Sequence, residues 1–179
     1  GANEVPEDDL PQTLSVVFTP GDPDIVYAGS WERGVFKSID GGVNWKSINN
    51  GFESLPPAAW VYALAIKPDD TNTVYAGFIY EGIYRTTDGG NSWTAMNMGL
   101  TSRNIRALLF SPVEPHTLMA GTNGGGVHRK IVEEDSWIPA NTGLRAVQIT
   151  SMAAAPGALY AGTFVSGIYR SLDGGISWS

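Results

Sequence analysis

Apolar residues along this chain come in short runs, with no sustained helical period. Leu14 to Phe18, Ile25 to Gly29, Val35 to Ser38 and Trp45 to Ile48 are β-branched or aromatic stretches bounded by Gly, Pro, Asp or Asn. Val61 to Ile66, Val74 to Phe78, Ile83 to Thr86 and Trp93 to Met96 repeat the series. Such runs predict four strands in a unit of about 41 to 48 residues. The 22 glycines and 11 prolines argue against long helices.

Two landmarks set the repeat. Tyr27-Ala28-Gly29, Tyr75-Ala76-Gly77, Met119-Ala120-Gly121 and Tyr160-Ala161-Gly162 follow one another at steps of 48, 44 and 41 residues. A phrase of the form hydroxyl-x-Asp-Gly-Gly-x-x-Trp runs from Ser38 to Trp45, Thr86 to Trp93 and Ser171 to Trp178. A further copy belongs at Lys130 to Trp137, where the Trp survives but the Asp and both glycines are lost. Self-similarity at this period predicts a repeat architecture, and four-stranded units of this size are blade-sized. The expected fold is all-β: a β-propeller of four four-stranded antiparallel blades, at about 14–50, 58–98, 104–142 and 147–179. Residues 1–13 are then an N-terminal arm or closing strand.

Each residue type in the phrase has a structural use. An Asp carboxylate accepts backbone N–H groups of a tight turn. Glycine supplies positive φ. Tryptophan offers a large apolar face with one donor. Ser38, Asp40, Gly42, Trp45, Thr86, Asp88, Gly90, Trp93, Ser171, Asp173, Gly175 and Trp178 are therefore read as structural, and the eroded third copy agrees with that reading. The phrase resembles the Asp-box, or bacterial neuraminidase repeat. The fuller unit, from Tyr-Ala-Gly through Gly-Ile-Tyr-Arg to the Trp, is similar to repeats of sialidases, xyloglucan-active glycoside hydrolases, sortilin-type receptors and photosystem II assembly factors. The resemblance implies a propeller; these families share a scaffold and not a task.

Trp178 is followed only by Ser179, so the fourth unit lacks its outer strand. Residues 1–13 have the length to supply it, within the chain or by strand exchange between copies in a homo-oligomer, and a piece of a larger ring is the third arrangement.

Composition narrows the partners. A net charge of −7 disfavours nucleic acid and anionic membrane. Zero cysteines exclude disulfides and thiolate metal sites. The uncharged stretch Ala146 to Tyr169 is interrupted by Gly, Pro, Ser and Thr and aligns with strands, which argues against membrane insertion. His116 and His128 lack metal-ligand spacing, and His128 stands where other units have Tyr84 and Tyr169. No metal and no cofactor are expected. Compartment is left open, with an extracellular or periplasmic setting favoured.

Function in such a scaffold is expected on the loops joining second to third strands and on the loops between units. There, Glu32 and Glu81 are read as equivalent positions in adjacent units, beside Trp31, Tyr80 and Trp60. Carboxylates flanked by aromatic rings suit sugar binding or glycoside chemistry. Trp31, Arg33, Trp60, Tyr80, Arg103 and Arg145 are the candidate ligand-binding residues, and Glu32 and Glu81 the candidate acids. The Arg-Ile-Pro phrase of sialidases is absent. Lys37, Arg85, Arg129 and Arg170 recur at one strand position and read as a structural basic series. The leading reading is a non-catalytic scaffold that contacts protein or glycan. The alternatives are a glycoside hydrolase or a fragment of one, and a photosystem II assembly-type factor.

Overall fold

The structure is a computed structural model, and it describes residues 4–6, 11–57, 59–114 and 116–179. It has two compact units, one ending at Ala95 and the other beginning at Met96. The first unit holds two sheets. Sheet one contains β1 (Glu4–Pro6), β2 (Thr13–Thr19), β3 (Asp22–Ser30), β4 (Val35–Ser38) and β5 (Asn44–Ser47); sheet two contains β6 (Val61–Lys67), β7 (Asp70–Phe78), β8 (Gly82–Thr86) and β9 (Thr94–Ala95). In the second unit, sheet three contains β10 (Ile105–Phe110), β11 (Thr117–Thr122), β12 (Gly126–Ile131) and β13 (Ile138–Pro139), and sheet four contains β14 (Ile149–Ala155), β15 (Ala158–Thr163) and β16 (Ile168–Ser171). The described residues contain no helix. The uncharged stretch from Ala146 folds into β14 and β15.

The strands pair antiparallel, beside an isolated parallel bridge between Thr142 and Ser177, and join chain neighbours with one exception: β1 lies on the outer edge of β5, with Val5 opposite Trp45. Of the expected arrangements, closure of sheet four by the N-terminal arm within the same chain is therefore not the one seen. Glu4–Pro6 makes a fifth strand on sheet one and does not complete sheet four, because the edge of β5 offers unpaired backbone groups close by in the chain. The remainder of the 1–13 arm is described only from residue 11 on. Sheet four has three strands, but Ser179 exchanges both backbone bonds with Arg170, as Thr94 pairs with Arg85 and Ile138 with Arg129. Ser179 thus stands opposite Arg170 as the outer-strand residues of sheets two and three stand opposite their arginines.

The repeated Tyr-Ala-Gly strand is the spine of each sheet. Ala28, Ala76, Ala120 and Ala161 face Phe36, Tyr84, His128 and Tyr169 across the next strand, a small residue opposite a large one. In unit one, Tyr27 and Val35 share a core with Val61, Leu64, Val74, Phe78 and Trp93. In unit two, Met119 and Val127 share one with Ile149, Leu159 and Trp178.

Within each unit the tryptophans bond back along the chain at a fixed offset. Trp93 Nε1 donates to the carbonyl of Ile48 at 2.7 Å, Trp137 Nε1 to that of Met96 at 2.7 Å, and Trp178 Nε1 to that of Ala140 at 2.9 Å. Each acceptor lies three residues past the preceding tryptophan. The backbone N–H groups of Trp93, Trp137 and Trp178 donate to Asn50, Met98 and Thr142, five residues past it. Gly51, Gly99 and Gly143 come next, all at positive φ, and each packs against the backbone carbonyl of the following tryptophan with no room for a Cβ.

Candidate functional site

The hydroxyl–Asp turns close on themselves. Thr86 Oγ1 donates to Asp88 Oδ1 at 2.6 Å and accepts the Gly90 N–H at 3.0 Å. Asp88 also accepts the Ser92 N–H and hydroxyl at 2.9 and 2.6 Å. Ser38 with Asp40, and Ser171 with Asp173, repeat the pattern, with Asn44 and Ser177 in the place of Ser92. Both oxygens of each of these carboxylates thus accept hydrogen bonds from their own turn, which leaves them poor candidates for reaction chemistry. Sheet three has lost this network yet keeps the Trp137 bond to Met96.

Those donors stabilise the ionised carboxylate. Asn44 in the first turn, and Ser92 and Ser177 in the others, hold Asp40, Asp88 and Asp173 down at about 2, from an ordinary 3.8. A carboxyl lowered by folding contributes stability above its unfolded pKa and loses it as pH falls through the folded one. The melting temperature is therefore expected to fall between about pH 4 and pH 2, and Asp88→Asn is expected to flatten that fall. His128 adds an earlier loss. It is fully buried on β12, its Nε2 accepts the Thr101 N–H at 3.2 Å, and burial lowers its pKa below 6.5. The unfolded chain takes up that proton first, so stability declines as pH drops below about 6.5. Calorimetry from pH 8 to pH 2 checks both windows.

The candidate ligand residues of unit one converge on the loop between β3 and β4 and the segment before β6. Trp31 and Trp60 stack at 3.8 Å between centroids, 24° from parallel. Trp31 Nε1 donates to Glu32 Oε1 at 3.0 Å, and the Trp31 N–H donates to the Gln12 carbonyl. The Ile79 N–H donates to the Trp60 carbonyl at 3.0 Å, which ties the start of the Tyr80 loop to the Trp60 backbone. Alongside lies a hollow of about 290 Å³, lined by Glu32, Arg33, Asn49 and Glu53 and by the apolar Phe52, Leu55, Pro56, Pro57, Ala59 and Phe78.

The pairing of Glu32 with Glu81 is corrected by register. Gly29 opposes Val35 and Gly77 opposes Ile83, so five residues separate the two members of each pair. The third of these five residues is left-handed: Glu32 at φ 67°, Tyr80 at φ 76° and, after Gly121, Gly124 at φ 104°. Glu32 thus corresponds to Tyr80, and Glu81 to Arg33. Counting from the acidic residues, not from the glycine before the loop, shifts the match by one.

Arg103 and Arg145 lie exposed in unit two, on the segments that lead into β10 and β14, and the Arg145 N–H donates to the Tyr169 hydroxyl. The basic series is used locally. Lys37 Nζ donates to the Gly89 carbonyl at 3.0 Å, where the Tyr27 hydroxyl also donates; burial lowers the lysine and raises Tyr27 to about 12. Arg129 pairs with Glu114 at 3.1 Å, while Arg170 is exposed.

A second repeat escaped the sequence reading. Asn49-Asn50-Gly51-Phe52, Asn97-Met98-Gly99-Leu100 and Asn141-Thr142-Gly143-Leu144 are three copies of Asn-x-Gly-apolar, each beginning four residues after a tryptophan. Asn49 Oδ1 accepts the Val35 N–H at 2.8 Å and its Nδ2 donates to the Arg33 carbonyl at 2.8 Å; Asn141 does the same to Val127 and Gly125. These amides clamp the hairpin loops, including the one that carries Trp31 and Glu32. Alignment on the tryptophans alone would have exposed them.

No protein-family model matches the chain, nor does any curated protein. Solved structures do. The GH74 xyloglucanase from Xanthomonas campestris matches with a TM-score of 0.70 at 18% identity, over 94% of this chain and 30% of its own. YCF48 bound to a D1 peptide matches at 0.72 and 15% identity, over 98% of this chain and 56% of its own. The RRP9 WD40 repeats match at 0.74 and 15% identity, over 100% and 54%. The chain spans 25% to 30% of the GH74 chains and 54% to 59% of the other neighbours. Likeness at this identity carries the fold: the chain is a β-propeller in architecture, and its four sheets are four blades.

Proposed function

We propose that this chain is a non-catalytic binding module that holds a segment of a partner protein on the Trp31, Trp60 and Tyr80 loops of unit one. The carrying observation is Tyr80: its backbone is left-handed at φ 76° and its ring is 68% exposed. A non-glycine residue there costs about 1 kcal/mol, and packing within the chain does not explain the exposed ring. Contact with a ligand does. The neighbouring hollow has an apolar floor and a rim of Glu32, Arg33 and Glu53, which suits an apolar side chain flanked by polar backbone. That YCF48 is seen with a D1 peptide supports the use of this fold for peptide capture. On this reading the hydroxyl–Asp turns are Asp-boxes with a purely structural part.

The second reading is a glycoside hydrolase or part of one, favoured by the GH74 neighbours and by Glu32 beside stacked tryptophans. On that reading Glu32 and Glu81 are the acids, and a glycan occupies the aromatic platform. A photosystem II assembly role is the more specific form of the peptide reading.

Peptide-array and glycan-array binding, followed by titration, separate these readings. Trp31→Ala and Tyr80→Ala are each expected to weaken the captured peptide at least about 10-fold, with the circular dichroism spectrum unchanged. Binding of glycans alone would replace the peptide reading. Turnover of xyloglucan oligosaccharides that Glu32→Gln abolishes would establish the enzyme.

A further inference from the structure

We propose that blade four of this chain docks on blade one of a second copy, through faces that the chain builds at its two ends. The inference stands apart from the aromatic loop site.

Each unit contains one blade-on-blade contact that serves as a template. In unit one, blade one presents Tyr27, Gly29 and Val35 toward blade two; a Cβ on Gly29 would lie 2.6 Å from Val61 Cγ1. Lys37, on the same face, donates to the Gly89 carbonyl in the turn of blade two. In unit two, blade three presents Met119, Gly121 and Val127 toward blade four; a Cβ on Gly121 would lie 2.6 Å from Ile149 Cγ2. The presenting face therefore has a signature: a large residue, a glycine, a β-branched residue and a base.

Blade four carries the same signature in Tyr160, Gly162, Ile168 and Arg170, at the same register. Val35 and Val127 are fully buried, yet Ile168 is 76% exposed. Arg170, at the position of Lys37, is exposed as well. The accepting face repeats the imbalance. Leu64 and Ile66 of blade two are buried against blade one, whereas Val16 and Phe18, at the same register in blade one, are 49% and 64% exposed. Trp45 differs in the matching way. Its Nε1 donates to Gly42 of its own turn at 2.8 Å, where Trp93 and Trp178 reach back to the preceding blade.

The chain thus holds both halves of one interface, each uncovered and each of the kind the other half fits inside the units. A second copy is the partner that carries the matching surface, in a heterologous head-to-tail contact. In that contact Ile168 of one copy packs on Val16 and Phe18 of the next, and Arg170 faces the Gly41 carbonyl, the counterpart of Gly89.

Sedimentation velocity and native mass spectrometry of the full chain provide the test. The wild type is expected at a multiple of its 19.1 kDa mass. Ile168→Asp and Phe18→Asp, both at exposed sites that leave the fold intact, are each expected to weaken association at least about 100-fold, because each places a carboxylate in the apolar contact. An equimolar mixture of the two variants is expected to recover a heterodimer, since one retains the blade-one face and the other the blade-four face. A wild-type monomer at about 100 μM, weaker than a standard interface allows, would overturn the proposal and assign these faces to another occupant. Association that survives both substitutions, or a mixture that stays monomeric, would overturn it too.

Discussion

Gly51→Ala is expected to lower the melting temperature by about 10 °C, a loss of about 3–5 kcal/mol. Two effects combine. Gly51 sits at φ 103°, a backbone conformation that costs an L-residue about 1–2 kcal/mol. The new methyl would also enter the Trp93 backbone at its carbonyl oxygen, and neither strand can retreat, because the Trp93 N–H is bonded to the Asn50 carbonyl next door. Gly21→Ala is the control. Gly21 has φ 80°, and an added Cβ would meet nothing within 4 Å, so only the conformational part remains, about 1 kcal/mol. Thermal melts of both variants by circular dichroism give the comparison. Equal losses would mean that the close approach is without consequence.

Trp93→Ala is expected to cost a similar amount, about 3–5 kcal/mol, by removing a buried indole from among Phe52, Tyr84 and Val61. Trp93→Phe separates the two contributions of that side chain. It keeps most of the apolar contact, including a ring near Phe52, now 5.3 Å away between centroids, but it orphans the Ile48 carbonyl. The expected loss is about 1–3 kcal/mol. Trp45→Phe should cost less than Trp93→Phe, because the Trp45 N–H is satisfied inside its own turn and joins no second blade. Urea titrations followed at several wavelengths would test that order. The reverse order would mean that the link between blades contributes little.

Periodicity carried the blades. The Tyr-Ala-Gly strands and the tryptophans repeat because each meets the same surroundings in each sheet, so spacing alone predicted short antiparallel strands gathered into four sheets. What stayed hidden depends on pairing, which a single sequence does not display. Glu4–Pro6 could lie on either open outer edge by length, and proximity along the chain placed it on β5. The mismatch of Glu32 with Glu81 arose because the hairpin assigns roles by distance from its glycine, and one loop puts the acid at the left-handed position while the other puts it a residue later. Trp31 and Trp60 are 29 residues apart in sequence, and their stacking follows from two loops meeting, not from any local pattern. The Asn49 and Asn141 clamps were visible in principle, but asparagine beside glycine reads first as an ordinary turn signal.

The offset of the tryptophan bonds has a direction. Ile48, Met96 and Ala140 each precede the indole they receive by 38 to 45 residues. A ribosome would always have made the acceptor before the donor emerged, so each newly finished hairpin finds its seat already in place. Growth from the amino end thus spares the nascent polypeptide a wait with a bare indole in search of a partner.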